Sequence, residues 1–307
     1  MTTLQHVVLK MEMDYLGHPY YVTGNALLHA IADDLDYHTQ RQIAVSHGVF
    51  TPGQYGVYPD EHSNSGGRPN LGASAIEIES YDDLWLHRQA QHNWLLDSRA
   101  RDALNTTELR VQSGKPGIAP TTTFDKSEQH RYDTQTTTWY IHAYLTSDAD
   151  GVLPLETDRF DGIHLGGKRN YGYGEVRIKD TQIVNLEEVD YSRLNGVETY
   201  LIELVTPFVV ETEYPDADDR SIPWWWAENR EDLRFREEKL LEQREVFRLE
   251  TIDHGQVVTY LGDRPVETAK NGLQRVGSHS RYGFGELRLE PLGGQYQESK
   301  EQSRLHP

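Results

Sequence analysis

The sequence predicts an α+β protein built from two copies of one small fold. Three observations point there. A glycine-rich segment occurs twice, LGGKRNYGYGEVRI at 165–178 and VGSHSRYGFGELRL at 276–289. Aligned without a gap, Gly166 matches Gly277, Tyr171 matches Tyr282, and Gly172 and Gly174 match Gly283 and Gly285; Glu175 and Arg177 match Glu286 and Arg288. Upstream in the same register, Glu156–Thr157 matches Glu267–Thr268. Internal repeats report repeated architecture. The second observation is length, since 307 residues suits two domains. The third is the order of periodic segments ahead of each loop. It reads β-α-β-β-α-β, the ferredoxin-like (RRM-like) split βαβ arrangement. The expected units are 1–190, with an insertion over about 45–135, and 191–293, with a disordered tail at 294–307.

In the first unit, Val7, Leu9, Met11 and Met13 alternate with Val8, Lys10 and Glu12, a strand with one apolar face. Residues 24–35 (GNALLHAIADDL) read as a helix turning Leu28, Ile31 and Leu35 inward. In the insertion, 51–73 is turn-rich and 81–104 reads as helical, while the polar segment 112–135 reads as a projecting hairpin or mobile loop. Residues 136–145 alternate again, with Trp139, Ile141, Ala143 and Leu145 opposite Thr138, Tyr140, His142 and Tyr144. A short helix around 157–165 leads to the first loop, and 175–179 is the closing strand.

In the second unit, 197–210 (VETYLIELVTPFVV) is a strand bent or interrupted by Pro207. A polar turn at 216–220 and Trp224–Trp226 precede a charged stretch, 228–244. There Leu233, Leu240, Leu241 and Phe247 recur near helical spacing. Residues 246–252 and 256–261 flank Asp253-His254-Gly255 as a hairpin. A helix over 267–275 leads to the second loop, and 286–292 is the last strand.

Composition narrows the function classes. No apolar run approaches the roughly 18 residues of a membrane span, and the N-terminus shows no secretory signal, so a cytoplasmic protein is expected. Without cysteine there is neither a disulfide framework nor a thiolate metal site. The 49 acidic residues against 30 basic ones give a net charge of −19. An acidic, lysine-poor surface suits a halophilic source, where the Debye length falls to about 3 Å and self-repulsion is screened. In such salt, local basic clusters say more about a polyanion partner than the total does.

The loops supply such clusters. Glycines let backbone N–H groups approach phosphates, and successive N–H groups form anion nests. Gly166, Gly167, Lys168, Arg169, Tyr171, Gly172, Tyr173 and Gly174 form the first candidate RNA site. Gly277, His279, Arg281, Tyr282, Gly283, Phe284 and Gly285 form the second. Their aromatics suit stacking on unpaired bases; the bland reading is tight turns whose aromatics pack on the sheet. Neither loop has P-loop spacing. Lys115, Lys126 and Arg131, with His130, are candidates for a thumb clamping RNA, or a solvated loop. Tyr140, His142 and Tyr144 form either a base-stacking platform or a covered face. Asp33, Asp34 and Asp36 read as a solvated helix end rather than a metal site, and Trp224–Trp226 as a core or interface anchor. No cofactor and no metal are expected.

The two loops, YVTGNALLHAI at 21–31 and TYLIELVTPFVV at 199–210 together resemble the RAMP superfamily of CRISPR-associated proteins. The resemblance covers most of the chain outside the insertion and tail, and two units in one chain resemble a handle-binding subunit. It implies a structural subunit that binds guide RNA (crRNA) with other effector subunits in antiviral defence. A metal-independent endoribonuclease that processes precursor crRNA is an alternative. For that activity the resemblance implies a histidine near the first helix, with His29, His38 and His47 as weak candidates. A third reading is a RAMP-fold interaction module without RNA binding.

Overall fold

The computed structural model describes residues 3–18, 21–33, 35–52, 78–81, 84–87, 117–125, 134–147, 149–189, 191–212, 233–242 and 245–292. It is a mixed α+β fold of mostly antiparallel sheets with few helices. The chain divides into two compact units, Met1–Val189 with Arg281–Gly283, and Asp190–Ser280 with Phe284–Pro307.

The first unit runs β1 (Thr3–Met11), β2 (Tyr15–Leu16), β3 (Tyr21–Val22), α1 (Gly24–Ala32), α2 (Tyr37–Gln42), β4 (Ile43–Val45) and β5 (Gly48–Pro52). Then follow β6 (Ile78–Tyr81), β7 (Leu84–His87), β8 (Gly117–Ile118), β9 (Thr121–Asp125), β10 (Thr134–Ser147) and β11 (Val176–Asn185). Its main sheet has the order β11-β1-β10-β5-β3, and β4 and β9 also pair with β10. Alternation sets its register. Leu9 lies between Ile141 and Ile178, while Lys10 lies between Tyr140 and Arg177 on the opposite face. Helix α1 covers the Leu9 face. Its buried Leu27 comes so close to Ile141 that only a glycine fits at Gly48 between them. Leu9, Leu27 and Ile141 are each fully buried, which contributes about 1.5–3 kcal/mol per side chain.

Thr23 caps α1, its hydroxyl accepting from Ala26 N at 3.3 Å. The expected helix over 24–35 therefore ends near Ala32, and a second helix begins behind Asp36. That carboxylate accepts from the N–H groups of His38 and Thr39, both at 3.0 Å. The Thr39 hydroxyl bond leads the contacts that hold its carboxyl below the usual range. Asp36 is a helix cap, and no acidic or histidine cluster able to hold a metal occurs among the described residues. The expected helix over 157–165 is a single 3-10 turn, Thr157–Phe160.

The insertion departs from the sequence reading where it is described. Leu84–His87 is a strand pairing with β6 rather than part of a helix. The polar segment 112–135 does contain hairpin strands, β9 pairing with the start of β10. Lys115, Lys126, His130 and Arg131 lie outside the described residues, as do Trp224–Trp226 and the tail.

The second unit runs β12 (Tyr200–Leu204), β13 (Phe208–Thr212), β14 (Phe235–Glu242), β15 (Glu245–Ile252), β16 (Val257–Tyr260), α3 (Pro265–Gln274) and β17 (Leu287–Pro291). Pro207 separates β12 from β13, and the two enter different sheets, β16-β12-β17 and β13-β15-β14. Helix α3 packs on the apolar face of the first. A Cβ at Gly272 would overlap both the side chain and the carbonyl of Leu287.

Two expectations for this unit are overturned. The charged stretch read as helix contains strand β14, paired residue by residue with β15. Its burial has period two: Glu238 and Leu240 are buried, while Phe235, Glu237, Lys239 and Leu241 are exposed. The leucine spacing mimicked a helix because period two and period 3.6 coincide over short runs. Residues 246–252 and 256–261 also do not pair with each other. Gly255 N donates to Leu204 O at 2.8 Å and Leu204 N to Gln256 O at 2.9 Å, so the end of β12 captures the chain after the turn. β16 then pairs with β12, while β15 pairs with β13 and β14. Among the described residues no helix lies between β12 and β16.

Candidate nucleic-acid interface

The two loops share the backbone hydrogen bonds that close them. Leu165 N donates to Gly174 O, and Val276 N donates to Gly285 O, both at 2.9 Å. Gly174 N donates to Asp14 O at 2.8 Å, and Gly285 N to Pro207 O at 2.9 Å. Glu12 N and Met13 N both reach Glu175 O, as Val205 N and Thr206 N both reach Glu286 O. Each loop thus closes onto itself and onto the end of its unit's first strand.

Conformations match as well. Gly166, Gly172 and Gly174 have φ of +82°, +81° and +74°, against +83°, +98° and +79° at Gly277, Gly283 and Gly285. A Cβ at Gly174 or Gly285 would overlap the carbonyl oxygen of Leu165 or Val276. These glycines are required by the closure itself. One non-glycine exception corresponds as well, Lys168 at φ +57° with His279 at +65°, whereas Arg275 at +73° has no left-handed match at His164. Lys168 and His279 each begin a single 3-10 turn, Arg169–Tyr171 and Ser280–Tyr282. A left-handed residue followed by right-handed ones turns successive N–H groups to one side, the geometry of an anion nest.

One support was not legible in the repeat. The ring of Tyr15 lies under Gly166, and the ring of Phe208 lies under Gly277. Both rings are buried. Each aromatic follows the last residue of its unit's first strand, Met11 or Leu204, by the same number of residues. Aligning strand ends rather than loops would have found them.

Surroundings separate the two loops. In the first, Lys168, Arg169 and Tyr171 are exposed, Tyr171 by 81%, and Gly172 faces open space. Gly167 and Tyr173 are half-buried. In the second, His279, Tyr282, Gly283, Phe284 and Gly285 are buried. Arg281–Gly283 are part of the first unit. There Arg281 donates to the carbonyls of Gln40 and Ile43. A Cβ at Gly283 would overlap His47 Nδ1.

The Glu-x-Arg after each loop shows the same contrast. Arg177 is 3.8 Å from Glu175, with 61% of its side chain exposed. Arg288 is 2.6 Å from Glu286, with 6% exposed. Nearby Arg275 is buried, which pulls its pKa down to about 10, against the opposing pull of Glu286. A screened surface pair is worth little, whereas breaking a buried one leaves an uncompensated charge.

The three histidines singled out near the first helix differ in setting. His29 is half-buried on α1, and His38 is exposed on α2, 3.0 Å from the side-chain nitrogen of Gln42. His47 is buried, and its Nδ1 accepts from Gly24 N at 2.9 Å, which helps anchor the start of α1. Of the candidate stacking face, Tyr140 is half-buried, while His142 and Tyr144 are buried with His6. His6 Nε2 lies 3.0 Å from His142 Nδ1, and the His6 ring stacks on Tyr144. Burial, then the neighbouring His142 charge, hold the His6 pKa well below the ordinary value.

No protein-family model matches the chain, and no curated protein matches it. Among the described residues no helix is long and apolar enough to cross a membrane.

Proposed function

We propose that the protein is a guide-RNA-binding structural subunit of a CRISPR-type effector ribonucleoprotein, gripping RNA through its first glycine loop. One observation carries this reading. On a chain of net charge −19, a loop locked by its own backbone holds Lys168, Arg169 and Tyr171 out into solvent. Cations and an aromatic on a rigid loop suit phosphates and an unpaired base. The resemblance of the loops and first-helix segment to the RAMP superfamily supports the wider assignment.

Strand order supports ferredoxin-like units within this proposal. The arrangement β11-β1-β10-β5 is the 4-1-3-2 order of a βαββαβ sheet, and β17-β12-β16 repeats its 4-1-3 part. The acidic composition supports a high-salt cytosol as the setting.

Purification in high salt followed by nucleic-acid extraction tests the proposal, with labelled RNA binding as the second arm. The expected result is copurifying RNA and weaker binding by Lys168→Ala/Arg169→Ala at unchanged stability. Absence of RNA, with unaltered affinity in the double variant, would leave an interaction module. A 2′,3′-cyclic phosphate product formed in chelator and lost in His29→Ala or His38→Ala would reassign the chain as a processing endoribonuclease.

A further inference from the structure

We infer that the RNA track of the first copy continues from the loop along β11, takes an extended single strand, and has no counterpart in the second copy. This rests on the reading of the first loop as an RNA site. From Lys168 to Asp180 the chain holds four basic residues, Lys168, Arg169, Arg177 and Lys179, against two acidic ones, Glu175 and Asp180. All four basic residues are exposed. Among the described residues, no carboxylate is within ion-pair reach of Arg169 or Lys179, and Arg177 has only the long, solvated approach to Glu175.

Backbone geometry places Arg177 and Lys179 on the strand that follows the loop, at the edge of the sheet. β11 is the last strand of its sheet, so among the described residues its outer side carries no further strand. Pairing with β1 runs Leu9 to Ile178 and then Val8 to Asp180, which leaves Lys179 as the extra residue of a bulge. Arg177 and Lys179 are two residues apart, at most about 6.6 Å along the strand and less where the bulge bends it. Tyr171 at the loop tip adds a stacking surface that only an unpaired base reaches.

The second copy has the same loop closure without these exposed cations. Arg288, matching Arg177, is buried against Glu286. Strand β17 also has no bulge: Glu290 pairs with Leu201 as Asp180 pairs with Val8, so Lys179 has no counterpart. The chain thus holds one strand, not two.

The test titrates the full chain with a labelled uridine oligomer and with an RNA duplex of equal length across a salt series. The single strand should bind in one copy per chain and more tightly than the duplex. Arg177→Ala/Lys179→Ala should weaken binding severalfold and lower the salt slope by about 0.7 for each phosphate no longer neutralised. Its melting temperature should match the parent's. If Lys168→Ala/Arg169→Ala weakens binding but Arg177→Ala/Lys179→Ala does not, the track is wrong and the loop reading stands. If neither variant changes affinity or slope, both fall. Equal affinity for duplex, two strands per chain, or equal competition by an acidic peptide would each overturn the inference.

Discussion

The first glycine loop is open and the second is covered, yet their backbones share the hydrogen bonds that close each loop onto its first strand. The same carbonyls are bonded, the same three glycines are left-handed, and an aromatic ring lies under the same glycine. The repeat therefore encodes how a closing strand is delivered beside a first strand. It does not encode what the loop touches. That depends on the residues between the glycines and on what surrounds them. Lys168 and Arg169 point to solvent in one copy, while Arg281 is bonded to two backbone carbonyls in the other.

The largest effects should be the ones the copies share. Gly174→Ala and Gly285→Ala each force a Cβ onto a carbonyl at positive φ, and each should cost about 3 kcal/mol or more in denaturant unfolding. A severe loss at one and a mild loss at the other would break the equivalence of the loops. The tips should then diverge. Gly283→Ala collides with His47 and should be nearly as costly, whereas Gly172→Ala meets open space and should cost only about 1 kcal/mol of left-handed strain.

Side chains sharpen the contrast. Tyr282→Ala removes a buried ring and should destabilise by about 3 kcal/mol. Tyr171→Ala removes an exposed one and should stay within about 0.5 kcal/mol. On the proposed RNA-binding reading the order reverses at Tyr171, where losing a stacked base should cost about 1–3 kcal/mol of affinity. Equal thermal shifts for the two variants would mean that the first loop is covered as well.

A last contrast separates the two main sheets by pH. The first sheet buries His6 beside His142, and β12, β16 and β17 contain no histidine. The folded-state pKa of His6 is depressed, so below about 6.5 the unfolded chain takes up a proton that the folded chain refuses. Stability is full above that pH and falls as pH drops toward the folded value, by up to about 1.4 kcal/mol per pH unit. Melting curves of His6→Gln should show this slope reduced by one proton. An unaltered slope would assign the acid sensitivity elsewhere.

Some of this was legible in the chain. The alternation of Val7, Leu9 and Met11 announced β1, and that of Trp139 to Leu145 announced β10. The break at Pro207 and the helix before the second loop were also readable, because each is a local pattern. β14 was misread because its leucines fit two periods over a short run, and only pairing with β15 decides between them. The separation of β15 from β16 was hidden for a related reason. The turn residues Asp253-His254-Gly255 are the same whether the flanking strands pair or diverge, and the capture of Gly255 and Gln256 by Leu204 is a long-range event.

By itself the sequence determined that one glycine loop recurs before a closing strand, since glycine spacing is a backbone requirement written locally. It also determined which residues a loop offers to a ligand. Only the tertiary structure decided which loop presents them. Exposure depends on packing from distant parts of the chain, such as the carbonyls of Gln40 and Ile43 that hold Arg281, and no local pattern records that packing.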